Sequence, residues 1–247
     1  LTQAAQRDAI AIIPARLASS RLPQKMLLDR TGKPLIQHVY EAARSARKVQ
    51  RVVVATDDDA IEAAVRAFGG QVARTRADHP NGTSRVAEAA RALGGELILN
   101  VQGDEPGLRG PMLDALVEAL DGAEMATLAC ALDEATELNV PSCVKVTTGV
   151  HGWALRFFRT PVMMAGDRAR TYRHLGVYGF RRDTLQTYAA LPPSPREDRE
   201  KLEQLRALDH GIRIRVCVVE RPRFGGIDTP QDYEAFVAAY ESERGVP

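Results

Sequence analysis

An excess of charge of either sign is missing from this 247-residue chain, where 33 Lys+Arg face 32 Asp+Glu for a formal net charge of +1. A protein held to nucleic acid by bulk phosphate attraction would carry a basic excess, so that class is excluded. No apolar run approaches the roughly 18–20 residues needed to cross a bilayer. Residues 1–8 carry no hydrophobic stretch of the signal-peptide kind. Cysteine is scarce: Cys130, Cys143 and Cys217 are odd in number, scattered, and form no C-x-x-C pair. That excludes a disulfide framework and points to a reducing cytoplasm. Neither G-x-x-x-x-G-K-[ST] nor G-x-G-x-x-G occurs, so the chain has no P-loop and no dinucleotide fingerprint.

What is present is a globular composition, 45% hydrophobic and 26% charged, which supports a large core and excludes wholesale disorder. With no internal repeat, low-complexity segment or linker, residues 1–247 are expected to form a single unit. Residues 9–15 and 51–55 are unbroken apolar runs of the kind found in strands buried on both faces. Residues 71–75 and 96–101 add two more strands. Between them, helical spacing predicts helices at 34–47, 59–68, 84–93 and 111–120. Strand and helix alternating over short connections imply an α/β fold, a mostly parallel sheet with helices on both faces. After Met125 the pattern turns β-rich, at 125–132, 143–148, 153–158 and 174–181. A charged helix at 196–210, a strand at 212–219 and a closing helix at 230–242 follow.

In parallel sheets ligands bind beyond the carboxyl ends of the strands, which directs attention to loops 14–25, 56–58, 75–85 and 102–106. The first carries Arg16, Arg21 and Lys25 within ten residues of a buried strand. Such cations can neutralise a triphosphate, or simply form a solvated basic loop. Asp104, in the run Gln102-Gly103-Asp104-Glu105-Pro106, again follows a strand. A carboxylate there suits Mg²⁺, which takes one or two carboxylates plus phosphate oxygens, or else it caps a turn. In Gly225-Gly226-Ile227-Asp228-Thr229-Pro230, Asp228 either caps the last helix or binds metal, and Thr229 can take the cap and leave Asp228 free.

Taken in order, PARLASSRLPQK, TRADHPNGTSRVAEA, NVQGDEP, RHLGVYGF, LEQLRAL and GIDTPQDYE resemble the 3-deoxy-D-manno-octulosonate (Kdo) cytidylyltransferase family from about residue 9 to residue 240. The resemblance implies a nucleotide-diphosphosugar transferase-like, Rossmann-like α/β fold. It also implies a homodimer built through a β-rich sugar-binding part at about 125–200. The implied reaction is CTP + Kdo → CMP-Kdo + pyrophosphate, dependent on Mg²⁺ and serving lipopolysaccharide biosynthesis. By the same resemblance Arg16 and Lys25 bind phosphates, and Asp104 and Asp228 hold the metal. Pro14, Ala15, Arg76 and Gly82 line the cytidine pocket. Gln102, Arg159, His174, Tyr178, Glu203 and Gln204 are candidates for the sugar, with Arg21 a further one. The partners expected are CTP and Kdo or a close 2-keto sugar acid, with no nucleic acid and no membrane.

Some of these residues also have plainer readings. On a strand His174 and Tyr178 share a face and can simply satisfy internal partners, and Glu203 with Arg206 can be an exposed i,i+3 pair. The chain departs from the family at Ser84, where an acidic residue is usual, and at Phe158 and 162–164. These departures leave open an amino-substituted Kdo or a sialic acid as acceptor. A sugar-1-phosphate nucleotidylyltransferase is disfavoured by the absence of G-x-G-T-R-L. A non-catalytic CTP-binding module is disfavoured by the retention of both Asp104 and Asp228.

Overall fold

A computed structural model of the protein describes residues 7–19, 21–160 and 170–243. Strand β1 (Ala9–Pro14) is buried along its whole length. A 3-10 turn at Lys25–Leu27 precedes helix α1 (Leu35–Arg44), which buries Leu35, Ile36, Val39, Tyr40 and Ala43 at helical spacing. The alternation continues through β2 (Arg51–Thr56), α2 (Asp59–Ala67), β3 (Gln71–Arg74), α3 (Gly82–Leu93), β4 (Leu97–Asn100) and α4 (Gly110–Ala119). Asp58 caps α2, its Oδ1 accepting from the Ala60 and Ile61 N–H groups at 2.9 and 3.0 Å. Asn81 caps α3 through the Ser84 N–H at 2.8 Å, so this helix starts at Gly82 rather than at the expected residue 84. Each such cap contributes about 1 kcal/mol.

Downstream lie β5 (Met125–Ala131), α5 (Glu134–Glu137), β6 (Lys145–Thr148), β7 (Ala154–Phe158), β8 (Thr171–Arg181) and α6 (Arg182–Ala190). Then come α7 (Pro195–Glu200), α8 (Gln204–Asp209), β9 (Ile214–Val218) and α9 (Pro230–Glu243). The strands form one sheet in the order β3-β2-β1-β4-β8-β5-β9. β1 runs parallel to β2 and β4, β2 to β3, and β5 to β9, while β8 lies antiparallel between β4 and β5. β6 pairs antiparallel with β7 and with the start of β8. The β-rich segment is therefore no separate layer, since β5 and β8 continue the sheet that β1–β4 begin.

Successive residues of β1 serve opposite faces, as the two-residue period of a strand requires. Ala11 and Ile13 pack with Ile36, Leu99 and Leu116 on one side, and Ile10 and Ile12 with Val86, Ile98 and Phe180 on the other. A third cluster joins Leu22 and Leu35 to Ile227, Tyr233, Phe236 and Val237 of the C-terminal segment.

The single helix expected at 196–210 is instead two. Ser194 and Glu197 form a capping box that starts α7, and Lys201 stops it in the left-handed region at φ 53°. Arg206 does not pair with Glu203 on an exposed face. It is buried and donates to both carboxylate oxygens of Glu197, at 2.8 and 2.5 Å. Helices α5 and α6 escape the sequence reading, α5 because it is a single turn and α6 although Pro192 and Pro193 stand just past its end.

Candidate active site

At the carboxyl ends of β1 and β4 the sheet opens into a cleft of about 350 Å³. Pro14 closes β1 because it has no N–H to continue the ladder, and the chain then leaves the sheet at Ala15 and Arg16. β4 delivers Gln102 and Asp104 to the opposite wall, and the start of α3 delivers Gly82. A Cβ at Gly82 would stand 3.2 Å from Pro14 Cγ and 3.8 Å from Gln102 Oε1. The bare backbone is what lets the three elements meet. Among the residues expected for nucleotide and metal, Pro14, Ala15, Arg16, Lys25, Gly82, Asp104 and Asp228 line the cleft, together with Arg21 and Gln102.

Asp104 and Asp228, distant in sequence, converge on one ammonium. Lys25 Nζ donates to Asp104 Oδ2, to the Ile227 carbonyl at 3.1 Å and to Asp228 Oδ1 at 3.2 Å. Arg21 Nη2 lies 2.9 Å from the same Asp228 oxygen. Three features bring the C-terminal turn here. The Ile227 N–H donates to the Asp104 carbonyl at 2.8 Å. Gly107 has no Cβ, which would otherwise stand 2.2 Å from the Phe224 carbonyl oxygen. The third hydrophobic cluster then fastens α9 against Leu22 and Leu35.

The capping question at Asp228 resolves in favour of Thr229. The Asp232 N–H donates to Thr229 Oγ1 at 3.2 Å, and Asp232 Oδ2 accepts from the Thr229 N–H at 2.8 Å. This reciprocal pair leaves the Asp228 carboxylate facing the cleft. Arg16 is exposed and, among the described residues, has no ion pair or hydrogen bond, so its guanidinium is open to an anion. Glu105 is pushed up to about 8, first by burial and then by the Asp104 charge, so at neutral pH it is mostly protonated and adds little negative charge. No group of three or more His, Cys, Asp or Glu among the described residues is arranged to hold a metal alone. Two carboxylates with phosphate oxygens completing the shell are, however, a donor set that suits Mg²⁺.

Other expected residues lie outside the cleft. Arg76 is exposed and pairs with Asp78 at 3.2 Å and Glu88 at 3.8 Å. Arg159 spends its donors on the carbonyls of Pro141, Glu200 and Lys201 at 3.1–3.2 Å. Phe158 is buried, with the Arg156 guanidinium 4.7 Å from its ring centre, and residues 162–164 fall outside the described ones. His174 and Tyr178 do share a face of β8, with ring centres 5.5 Å apart. Thr127 Oγ1 donates to the Val177 carbonyl at 2.8 Å, so it accepts from His174 Nε2 at 2.9 Å and fixes a neutral tautomer. Burial pushes His174 down to about 3. Gln204 is buried. Glu203, whose pKa burial raises, is reached from the cleft through hydrogen bonds. Gln102 donates to Asn100 at 3.2 Å, Asn100 donates to Thr83 at 3.0 Å, and Thr83 bonds Glu203.

Other lining residues were not singled out in the sequence, among them Met26, His79, Asn81 and Arg85. Arg85 is buried, donates to Thr75 Oγ1 at 2.6 Å and lies 2.7 Å from Asp57 Oδ1, tying the ends of β2 and β3 to α3. Its signal was an arginine on the apolar face of a helix, where a cation needs a carboxylate partner at a nearby strand end.

A cytidylyltransferase family profile matches residues 10–214. The 3-deoxy-manno-octulosonate cytidylyltransferase of Geobacter sulfurreducens is 46% identical over 240 residues, covering 91% of this chain and 96% of that protein. The enzyme of the same name from Escherichia coli is 43% identical over 239 residues, covering 95% and 97%. The solved structure of CMP:2-keto-3-deoxy-manno-octonic acid synthetase complexed with CTP superposes with a TM-score of 0.90 at 43% identity, covering 96% of this chain and 99% of that one. A 4-diphosphocytidyl-2C-methyl-D-erythritol synthase from Anaerococcus prevotii, 14% identical with a TM-score of 0.65, shares the fold alone. With near-complete coverage at such identity, and with the cleft residues of the family's motifs gathered at one sheet end, the chain belongs to the 3-deoxy-manno-octulosonate cytidylyltransferase (CMP-Kdo synthetase) family.

Proposed function

We propose that the chain transfers the cytidylyl group of CTP to Kdo, releasing pyrophosphate and forming CMP-Kdo for lipopolysaccharide biosynthesis. It is a nucleotidyltransferase. The observation that carries the residue assignments is the convergence of Asp104 and Asp228 on one cation position, beside Arg16, which has no partner among the described residues. Arg16, Arg21 and Lys25 supply the positive charge for the triphosphate, and Pro14, Ala15 and Gly82 supply close backbone for cytidine. Arg76 stays on the nucleotide side only if its loop folds inward over the base.

The anomeric hydroxyl of the sugar attacks the α-phosphorus in line as pyrophosphate leaves, so the protein's work is positioning and charge neutralisation. Asp104 and Asp228 would hold Mg²⁺, which when bound shields the α-phosphate and makes the incoming hydroxyl more acidic. Gln102 is assigned to the sugar in this reading, and its hydrogen-bond chain to Glu203 supports a polar wall running inward from the cleft. Tyr178, which pairs with Asn100 across β4 and β8, and His174 beside it belong to the sugar side in this reading, as do Arg159 and Gln204. We place the reaction in the cytoplasm, consistent with free cysteines and with no helix among the described residues long and apolar enough to cross a membrane. The working form in this reading is a homodimer formed through the β-rich part.

Pyrophosphate release measured with CTP or UTP against Kdo, 8-amino-Kdo and a sialic acid tests this reading. CTP with Kdo should dominate. A base site that pairs the cytosine amine leaves a buried acceptor unpaired with uracil, a loss of about 1–3 kcal/mol. Equal kcat/KM for UTP would refute the base assignment, and release with 8-amino-Kdo but not with Kdo would reassign the acceptor.

A further inference from the structure

The Lys25 ammonium has three N–H donors and no more. All three are spent in this structure, on Asp104 Oδ2, on the Ile227 carbonyl at 3.1 Å and on Asp228 Oδ1 at 3.2 Å. Its side chain is only 11% exposed. As seated, Lys25 therefore cannot also hold a phosphate. The two tasks compete for the same atom. The position it fills, between two carboxylates far apart in sequence, is also the position a divalent cation needs.

We propose that Lys25 is a resident stand-in for the metal: it holds Asp104 and Asp228 together in the free protein and yields them to a divalent cation as it turns to the phosphates of CTP. This rests on the proposed function above, in that Asp104 and Asp228 are taken as the metal ligands.

The physical reasons are three. Without a cation between them, two carboxylates at one site repel, so the ammonium keeps the C-terminal turn docked until substrate arrives. A lysine suits the exchange because its flexible stem carries a compact charge that can swing, whereas the planar fork of an arginine would clamp. Arg16 has no ion pair or hydrogen bond among the described residues, so the triphosphate has a cation available for first contact before Lys25 moves. The exchange makes metal and nucleotide each favour the binding of the other, because each relieves the cost of displacing Lys25. Reciprocal couplings of this kind are commonly about 5–150-fold.

Mn²⁺ binding to the full-length protein, followed by electron paramagnetic resonance without nucleotide, tests the exchange directly. Lys25→Met should bind Mn²⁺ at least about tenfold more tightly than wild type, and adding CTP should raise its Mn²⁺ affinity far less than it raises that of wild type. Unchanged or weaker Mn²⁺ binding by Lys25→Met would overturn the proposal. Wild type bearing Asp104→Asn separates the two levels. If Mn²⁺ binding in the presence of CTP does not depend on Asp104, the metal assignment fails and the exchange fails with it. If it does depend on Asp104 while Lys25→Met shows no gain, only the exchange fails.

Should Lys25→Met fold poorly, lysine labelling of wild type decides. Reductive methylation read by mass spectrometry should find Lys25 protected relative to Lys48, and Mg²⁺ should raise its labelling several-fold. Labelling of Lys25 that does not respond to Mg²⁺ would count against the exchange.

Discussion

Asp228 sits one residue before a helix-capping threonine and two before a helix-starting proline, a context in which an aspartate is ordinarily a cap. The reciprocal bonds between Thr229 and Asp232 remove that duty. Lys25 at 3.2 Å and Arg21 at 2.9 Å then define what the carboxylate faces. Asp228→Asn should therefore keep the fold, its melting temperature close to wild type, while CMP-Kdo formation falls by about 3–5 kcal/mol of transition-state stabilisation. An asparagine at a true cap would be nearly silent, so a variant with near-normal turnover would return Asp228 to a structural role. Arg16 makes the complementary case. Having no partner to lose among the described residues, Arg16→Met should leave stability unchanged and raise the KM for CTP by about tenfold or more, the cost of one charge-assisted phosphate contact. Thermal melts beside steady-state kinetics read both effects.

Helix α9 is the element that makes the cleft possible. Tyr233 accepts the Arg30 N–H at its hydroxyl at 2.9 Å, and Phe236 packs edge-on against His38 and Phe224 at 5.1 and 5.3 Å. These contacts fix the height of the turn that carries Ile227 and Asp228 over Lys25. Phe236→Ala should cost about 3–5 kcal/mol of stability. At temperatures where the variant is still folded, turnover should fall more than CTP affinity, since the Asp228 carboxylate, the proposed metal ligand, moves while Arg16 does not. Equal losses in both would mean that α9 acts only on global stability. The parallel half of the sheet was legible in the sequence because β1, β2 and β4 are short unbroken apolar runs, which only burial on both faces explains. The cleft was legible to the extent that it sits at strand ends, as with Arg16, Lys25 and Asp104. What stayed hidden depended on contacts between distant segments. The break at Lys201 has no glycine to announce it, Arg206 found Glu197 rather than Glu203, and Arg85 depends on Asp57 and Thr75 from two other loops.

For the molecule as a whole, the sheet joins a nucleotide side to a β-rich side through β8, and stability should respond to what β8 buries. In solution the chain should scatter light as a dimer, near twice the 27.0 kDa of one chain, and a persistent monomer at micromolar concentration would remove the β-rich part from that role. Acid provides the sharper test. Burial holds His174 down at about 3 in the folded protein, against about 6.5 when unfolded. Its folded environment thus prefers the neutral ring, because burial strips the charged form of solvent. A group with a depressed folded pKa contributes stability that is complete above its unfolded value. For His174 that contribution is lost as pH falls from about 6.5 towards about 3, because the unfolded chain takes up the proton first. His38, also lowered, chiefly by burial, adds a loss of the same sign. The loss from His174 should reach on the order of a few kcal/mol. His174→Gln keeps a donor for Thr127 but cannot titrate, so its melting temperature should fall less steeply than that of wild type between pH 6.5 and 4. Parallel slopes for the two proteins would mean that the ring is already solvated in the folded state, and the buried wall built on His174 and Tyr178 would have to be redrawn.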